Sequence, residues 1–110
     1  MARYEKMVSG NFDTILRQME QAVMEGSLSA SFEDGVDYTV EDFRCAVRIF
    51  ERYSWTGGNR VSLTLTLTGQ DDLYLLSAIT SGGSQGMFFK LNTWGENAFL
   101  DTIREAADDL

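Results

Sequence analysis

The stretch Arg60-Val61-Ser62-Leu63-Thr64-Leu65-Thr66-Leu67-Thr68 alternates polar and aliphatic residues without a break. A period of two is what a β-strand needs when one side of its sheet is buried and the other meets water. A helix cannot use this pattern, because its 3.6-residue period would scatter the aliphatic residues around the axis. The chain therefore contains a sheet with an apolar face, and something apolar has to cover that face.

The covering elements read as two helices. Phe12, Ile15, Leu16, Met19, Ala22 and Val23 recur at helical spacing and share one side. Ser9 or Asn11 can cap the start, Asp13 suits the positive end of the helix dipole, and Gly26 is placed to end the helix in a left-handed turn. Near the end of the chain, Thr93 with Glu96 matches a capping box. A helix is expected to follow it, with Ala98, Phe99, Thr102, Ile103 and Ala106 inward and a frayed last turn where Asp108 and Asp109 oppose the dipole.

The rest reads as strands. Residues 2–8 form a first short one. Ser27–Glu33, Phe43–Trp55, Arg60–Thr68 and Leu73–Thr80 follow, and Met87–Leu91 is a candidate sixth. Thr56-Gly57-Gly58-Asn59 and Gly69-Gln70-Asp71-Asp72 are short enough for hairpin loops, which makes the sheet an antiparallel meander. Phe43, Cys45, Val47, Ile49, Tyr53 and Trp55 share one face of their strand and are expected to join the core. The opposite face would carry Ser62, Thr64, Thr66 and Thr68 with Arg44, Arg48 and Arg52. Both core sets then occupy odd positions, so odd must pair with odd, which predicts an odd-length loop or a bulge near Thr56–Asn59. Glu51 has the parity of the core set and no account within this scheme. Leu73–Thr80 is apolar on both faces, which predicts burial from both sides.

The fold class is accordingly α+β. A single antiparallel sheet of about five to six strands carries two helices on one face, in the order β-α-β-β-β-β-(β)-α. This order resembles TATA-binding-protein-like or helix-grip folds. The chain of 110 residues is one domain, 1–110. With 44% apolar and 24% charged residues it is globular rather than disordered. No apolar stretch approaches the length of a membrane span, and Met1-Ala2-Arg3-Tyr4-Glu5-Lys6 lacks the apolar centre of a secretory signal. One cysteine cannot close an intramolecular disulfide. Together these features point to the cytoplasm.

Charge and composition narrow the chemistry. Seventeen acids against nine bases give a net charge of −8, which argues against nucleic acid and anionic membranes as partners. There is no histidine, so a serine nucleophile lacks its usual base. Gly82-Gly83-Ser84-Gln85-Gly86 matches the G-x-S-x-G elbow in letters, but that elbow needs a helix directly after it, and Met87-Phe88-Phe89-Lys90-Leu91 reads as extended. The loop reads as a turn whose backbone N–H groups could hold a small anion. Arg44, Arg48 and Arg52 line one strand face and could bind a phosphate or carboxylate, or balance the acidic surface through ion pairs. Cys45, between Phe43 and Val47, reads as a small buried hydrophobe. No histidine or cysteine cluster offers a metal site, no catalytic residue is nominated, and no cofactor is expected.

The stretches Arg44-Cys45-Ala46-Val47, Ser81-Gly82-Gly83-Ser84-Gln85-Gly86 and Phe88-Phe89-Lys90-Leu91-Asn92-Thr93-Trp94-Gly95-Glu96 resemble those of a small uncharacterised bacterial domain family. The resemblance spans the chain. It implies a small bacterial cytoplasmic protein and brings no assigned activity or site residues with it.

Two functional expectations result. The first is a non-enzymatic interaction domain that self-associates as a homodimer, with Leu76, Phe88, Phe89 and Trp94 as interface candidates, because the chain carries more apolar surface than two helices cover. The second is a small apolar ligand held between sheet and C-terminal helix, lined by Phe32, Val47, Ile49, Leu63, Leu65, Phe99 and Ile103. A third reading, an enzyme without histidine, would have to rely on carboxylates, Lys90, a tyrosine or a bound cofactor.

Overall fold

Two tight turns set the register of two of the four ladders. The computed structural model describes residues 2–26, 29–54, 59–82, 89–108 and 110. Glu41-Asp42 joins β2 (Ser31–Val40) to β3 (Phe43–Ser54), so that Val40 faces Phe43. Asp71-Asp72 joins β4 (Asn59–Gln70) to β5 (Leu73–Gly82), so that Gln70 faces Leu73. A two-residue turn always pairs an odd position with an even one, and the β3–β4 ladder does the same, running from Arg44↔Gly69 to Ser54↔Asn59 with no shift. The odd-with-odd pairing expected from the sequence, and the odd loop it required, are therefore wrong.

The consequence is that β3 is turned over relative to the sequence reading. Leu63, Leu65, Leu67 and Val61 on β4 share their face with Ala46 and Phe50 on β3 and with Tyr74, Leu76, Ala78 and Thr80 on β5. All are buried. Cys45, Val47, Ile49 and Tyr53 lie on the other face, with Ser62, Thr64, Thr66 and Thr68. The apolar alternation of β3 was real, but both of its faces hold apolar carbon, and the arginines on the even side lie against core rings, Arg44 over Phe12 and Arg52 over Phe99.

β1 (Ala2–Ser9) pairs with β5, and the sheet order is β1-β5-β4-β3-β2, antiparallel throughout. The meander β2 to β5 is as expected, with β1 added beside β5. The strand read as Ser27–Glu33 lies further along, at Ser31–Val40, with a bulge between Phe32 and Asp34. The acids Glu33, Asp34 and Asp37 stand on this edge strand, where exposed charge and a bulge discourage further pairing.

Helix α1 (Phe12–Glu25) starts at Asn11, whose side-chain oxygen accepts from the Thr14 N–H at 2.9 Å. It buries Phe12, Ile15, Leu16, Met19 and Val23. Gly26 follows in a right-handed conformation, φ −77° and ψ −9°, not the left-handed turn expected. Its role is spatial, because a Cβ there would run into Thr102. Helix α2 (Phe89–Asp108) begins before the Thr93–Glu96 pair, so the capping box does not mark its start and residues 89–91 are helical rather than a sixth strand. Phe99, Leu100, Ile103 and Ala107 are fully buried. The last turn is held rather than frayed. The Lys6 Nζ donates to the Ala107 carbonyl at 2.8 Å, and the Tyr4 hydroxyl donates to Asp108, which places a cation at the negative end of the dipole.

One core cluster joins both helices to the same sheet face. Phe12 meets Tyr74 edge to face, with ring centroids 5.1 Å apart.

Candidate interaction face and the arginine row

Arg44, Arg48 and Arg52 point toward the helices, not toward the threonines. Arg44 pairs with Asp13 of α1 at 3.0 Å and lies 4.0 Å over the Phe12 ring. Its hydrogen bond holds the Asp13 carboxyl below the usual carboxylate range. Arg48 is more deeply placed, with 13% of its side chain exposed. It donates to both oxygens of Asp37 at 2.9 and 3.0 Å, to Glu20 at 3.3 Å and to the Val47 carbonyl at 2.9 Å. Burial works against its charge, but the Asp37 and Glu20 carboxylates outweigh it and raise its pKa. The Arg52 guanidinium sits 4.8 Å from the Phe99 ring, and burial lowers its pKa. Arg44 and Arg48 thus spend their charge on fastening α1 and β2 to β3.

Of the glycine loop, Gly82 is described, and it lies level with one end of this row. Gly82 and Arg52 both flank Val61 at the same level of the sheet, while Arg44 and Arg48 lie further along β3. Gly83, Ser84, Gln85, Gly86 and Phe88 lie outside the described residues. The backbones of Phe89 and Trp94 belong to α2. Leu76 is not available as an interface residue: it is 1% exposed and sits in the core beneath the helices. The proposed ligand lining also separates. Leu63, Leu65, Phe99 and Ile103 belong to one packed core, Val47 and Ile49 are on the far face, and Phe32 lies at the edge against Phe50.

The far face is the distinctive surface of the molecule. Neither described helix covers it. Of the twelve large apolar side chains exposed among the described residues, all but Met24, Phe32 and Leu110 lie there, between 36% and 64% exposed. Val36, Tyr38 and Val40 come from β2, Phe43, Ile49 and Tyr53 from β3, Leu73 and Ile79 from β5, and Met7 from β1. So β5 is apolar on both sides, as its sequence shows, yet buried on one side only. Single exposed hydrophobes are ordinary, whereas this many on one face mark a contact surface.

Between the apolar columns runs a hydroxyl stripe. β4 is the central strand, and its Ser62, Thr64, Thr66 and Thr68 are half-buried. On the three inner strands the only described charges on this face are Glu51 and Arg60, which pair with each other at 3.1 Å at one end. This accounts for Glu51, which belongs to the open face and not to the core. Cys45, 6% exposed, lies among these side chains opposite Tyr38, and its hydrogen bond raises the Tyr38 pKa.

Sequence reasoning missed Val36, Tyr38, Val40 and Met7 as surface residues of interest. Part of the signal was present in the two-residue turn Glu41-Asp42, which puts Val36, Tyr38 and Val40 on the same face as Val47, Cys45 and Phe43.

The described residues hold no group of three potential metal-binding side chains and no helix long and apolar enough to cross a membrane. The structure is that of a small α+β domain with two helices on one face of a five-stranded antiparallel sheet and an opposite face that neither described helix covers. The chain matches a family of unknown function, DUF6054, over residues 1–110, and it belongs to that family. No match was found among curated proteins.

Proposed function

We propose that this chain is a non-enzymatic interaction domain that works through the open face of its sheet and binds a second copy of itself there. The observation that carries this reading is the gathering of nine exposed apolar side chains on one face. Five strands at ~4.8 Å spacing and about ten residues in length give a face of roughly 24 by 33 Å, near the ~800 Å² per partner of a stable interface. Charge favours the same partner. A chain of net charge −8 repels its copies everywhere except across a surface whose inner strands are nearly neutral. Its lone cysteine and acidic surface support a cytoplasmic setting.

Sedimentation velocity over a range of concentrations tests this reading, with Ile49→Lys as the comparison. Ile49 is outside the core, so the variant keeps its fold while placing a cation in the apolar face. The expected result is a wild-type dimer and an Ile49→Lys monomer. Wild-type protein that stays at 12.3 kDa at every concentration overturns the reading.

A further inference from the structure

We infer that the two copies stack with β4 directly over its own copy, so that the Ser62–Thr68 hydroxyl stripe meets itself across a two-fold axis near Thr66. This inference rests on the self-association proposed above and specifies its geometry.

A side-chain O–H removed from water without a partner is costly, whereas two facing hydroxyls can donate to and accept from each other. The stripe occupies the middle strand of five, with an apolar column on β3 to one side and another on β5 to the other. Sliding the partner sheet by one strand would press the stripe onto the β3 column, where Thr68, Thr66 and Thr64 would meet Cys45, Val47 and Ile49, or onto the β5 column, where Ser62 and Thr66 would meet Ser81 and Ser77 but Thr64 and Thr68 would meet Ile79 and Leu75. Half of the hydroxyls or more would then face a side chain that has none. Centring the partner avoids this, and it also leaves the apolar columns facing apolar columns.

Symmetry makes the centred arrangement available in two ways. Face-to-face sheets related by a two-fold have their axis in the plane between them. If the axis runs along the strands, β4 lies over its copy and β3 over the partner's β5. If it runs across them, each strand lies over its own copy in reverse. In both cases β4 meets β4, with the small twist of aligned sheet packing. In both, Val40, at the far end of the edge strand β2, lies away from its own copy. The helices point outward on both sides, so their acidic residues are kept apart in the pair.

Pairs of charge variants read this geometry. Thr66→Lys and Thr66→Glu are prepared separately in the full chain, together with Val40→Lys and Val40→Glu. Each Thr66 variant alone is expected to dimerise at least ~10-fold more weakly than wild type, and an equimolar mixture of the two to recover a mixed dimer, because unlike charges then face each other. Mixing the Val40 pair is expected to bring no recovery. Disulfide trapping gives an independent reading. In a Cys45→Ala background, Thr66→Cys is expected to oxidise to a covalent dimer, and Val40→Cys not to. A wild-type dimer that recovers or cross-links through position 40 and not through position 66 overturns the stacking while leaving self-association standing. A wild-type monomer overturns both.

Discussion

Gly35 stands directly opposite Arg48 in the β2–β3 ladder, and a Cβ on Gly35 would lie 2.9 Å from both Arg48 Cδ and the Val47 carbonyl oxygen. The missing side chain is the corridor along which Arg48 reaches Asp37. Replacing Gly35 by alanine crowds that corridor and is expected to cost about 1–2 kcal/mol. Urea unfolding measures it. Truncating Arg48 to alanine removes several charge-assisted hydrogen bonds and is expected to cost about 1–3 kcal/mol. The two residues share one space, so the double variant should cost less than the sum of the singles. Simple additivity would show that Gly35 serves some other purpose.

The β4–β5 turn carries a cost that can be removed. Asp71 and Asp72 have φ of 58° and 62°, both left-handed. This is the backbone of a type I′ turn, which asparagine and glycine adopt more easily than aspartate. The double change Asp71→Asn, Asp72→Gly is expected to stabilise the domain by about 1 kcal/mol. The Asp72 carbonyl that accepts from the Gly10 N–H is backbone and survives the change. A higher urea midpoint with an unchanged slope is the expected observation; a lower midpoint would mean that the carboxylates contribute more than the strained backbone costs.

The Arg44–Asp13 pair gives a pH dependence of known sign. The hydrogen bond from Arg44 lowers the Asp13 pKa in the folded chain. A carboxyl depressed on folding stabilises above its unfolded pKa, near 3.9, and that contribution fades as pH falls through the folded value. Asp13 is 61% exposed, so the effect is small and screened by salt. The stability advantage of wild type over Asp13→Asn should therefore hold at neutral pH, shrink below about pH 4, and narrow in high salt. A side-chain carboxyl titration by NMR, together with urea midpoints against pH, checks it. An Asp13 that titrates at the ordinary value removes the pair as a contributor.

Much of the architecture is legible in the chain because period and element coincide. The Arg60–Thr68 alternation fixes a half-buried strand, and the Phe12–Val23 spacing fixes α1. The orientation of β3 is harder to read, because Cys45, Val47 and Ile49 are more hydrophobic than Arg44, Arg48 and Arg52 on any scale. Burial follows the ladder, however, and the β3–β4 ladder pairs Arg48 with Leu65 and Phe50 with Leu63, so the even side of β3 lies under the helices. Arginines can lie under a helix when Asp13, Glu20 and Asp37 wait to receive them, and those acids are far away in sequence. The open face was foreshadowed by the doubly apolar β5. Its contributors from β2 were hidden by the acids that mark the edge, and the alternation of β3 alone sets its hydroxyl stripe beside Arg44, Arg48 and Arg52, which lie on the opposite face.

Gly26 tests whether a glycine serves conformation or space. Its φ of −77° is open to any residue, so no left-handed strain demands glycine there. What excludes a side chain is Thr102 on α2, whose Cγ2 and Oγ1 crowd the position where a Cβ would stand, together with the Ala22 carbonyl 2.8 Å away. Gly26→Ala should push α1 and α2 apart and cost about 1–3 kcal/mol. Thr102→Ser removes the Cγ2 methyl and should recover part of that loss in the double variant, although serine at 102 alone brings no gain. Thermal unfolding of the four proteins reads the cycle. If glycine were needed for its backbone freedom, serine at 102 would rescue nothing and asparagine at 26 would be tolerated. If it is needed for space, asparagine at 26 should be worse than alanine, because it is larger and meets the same helix.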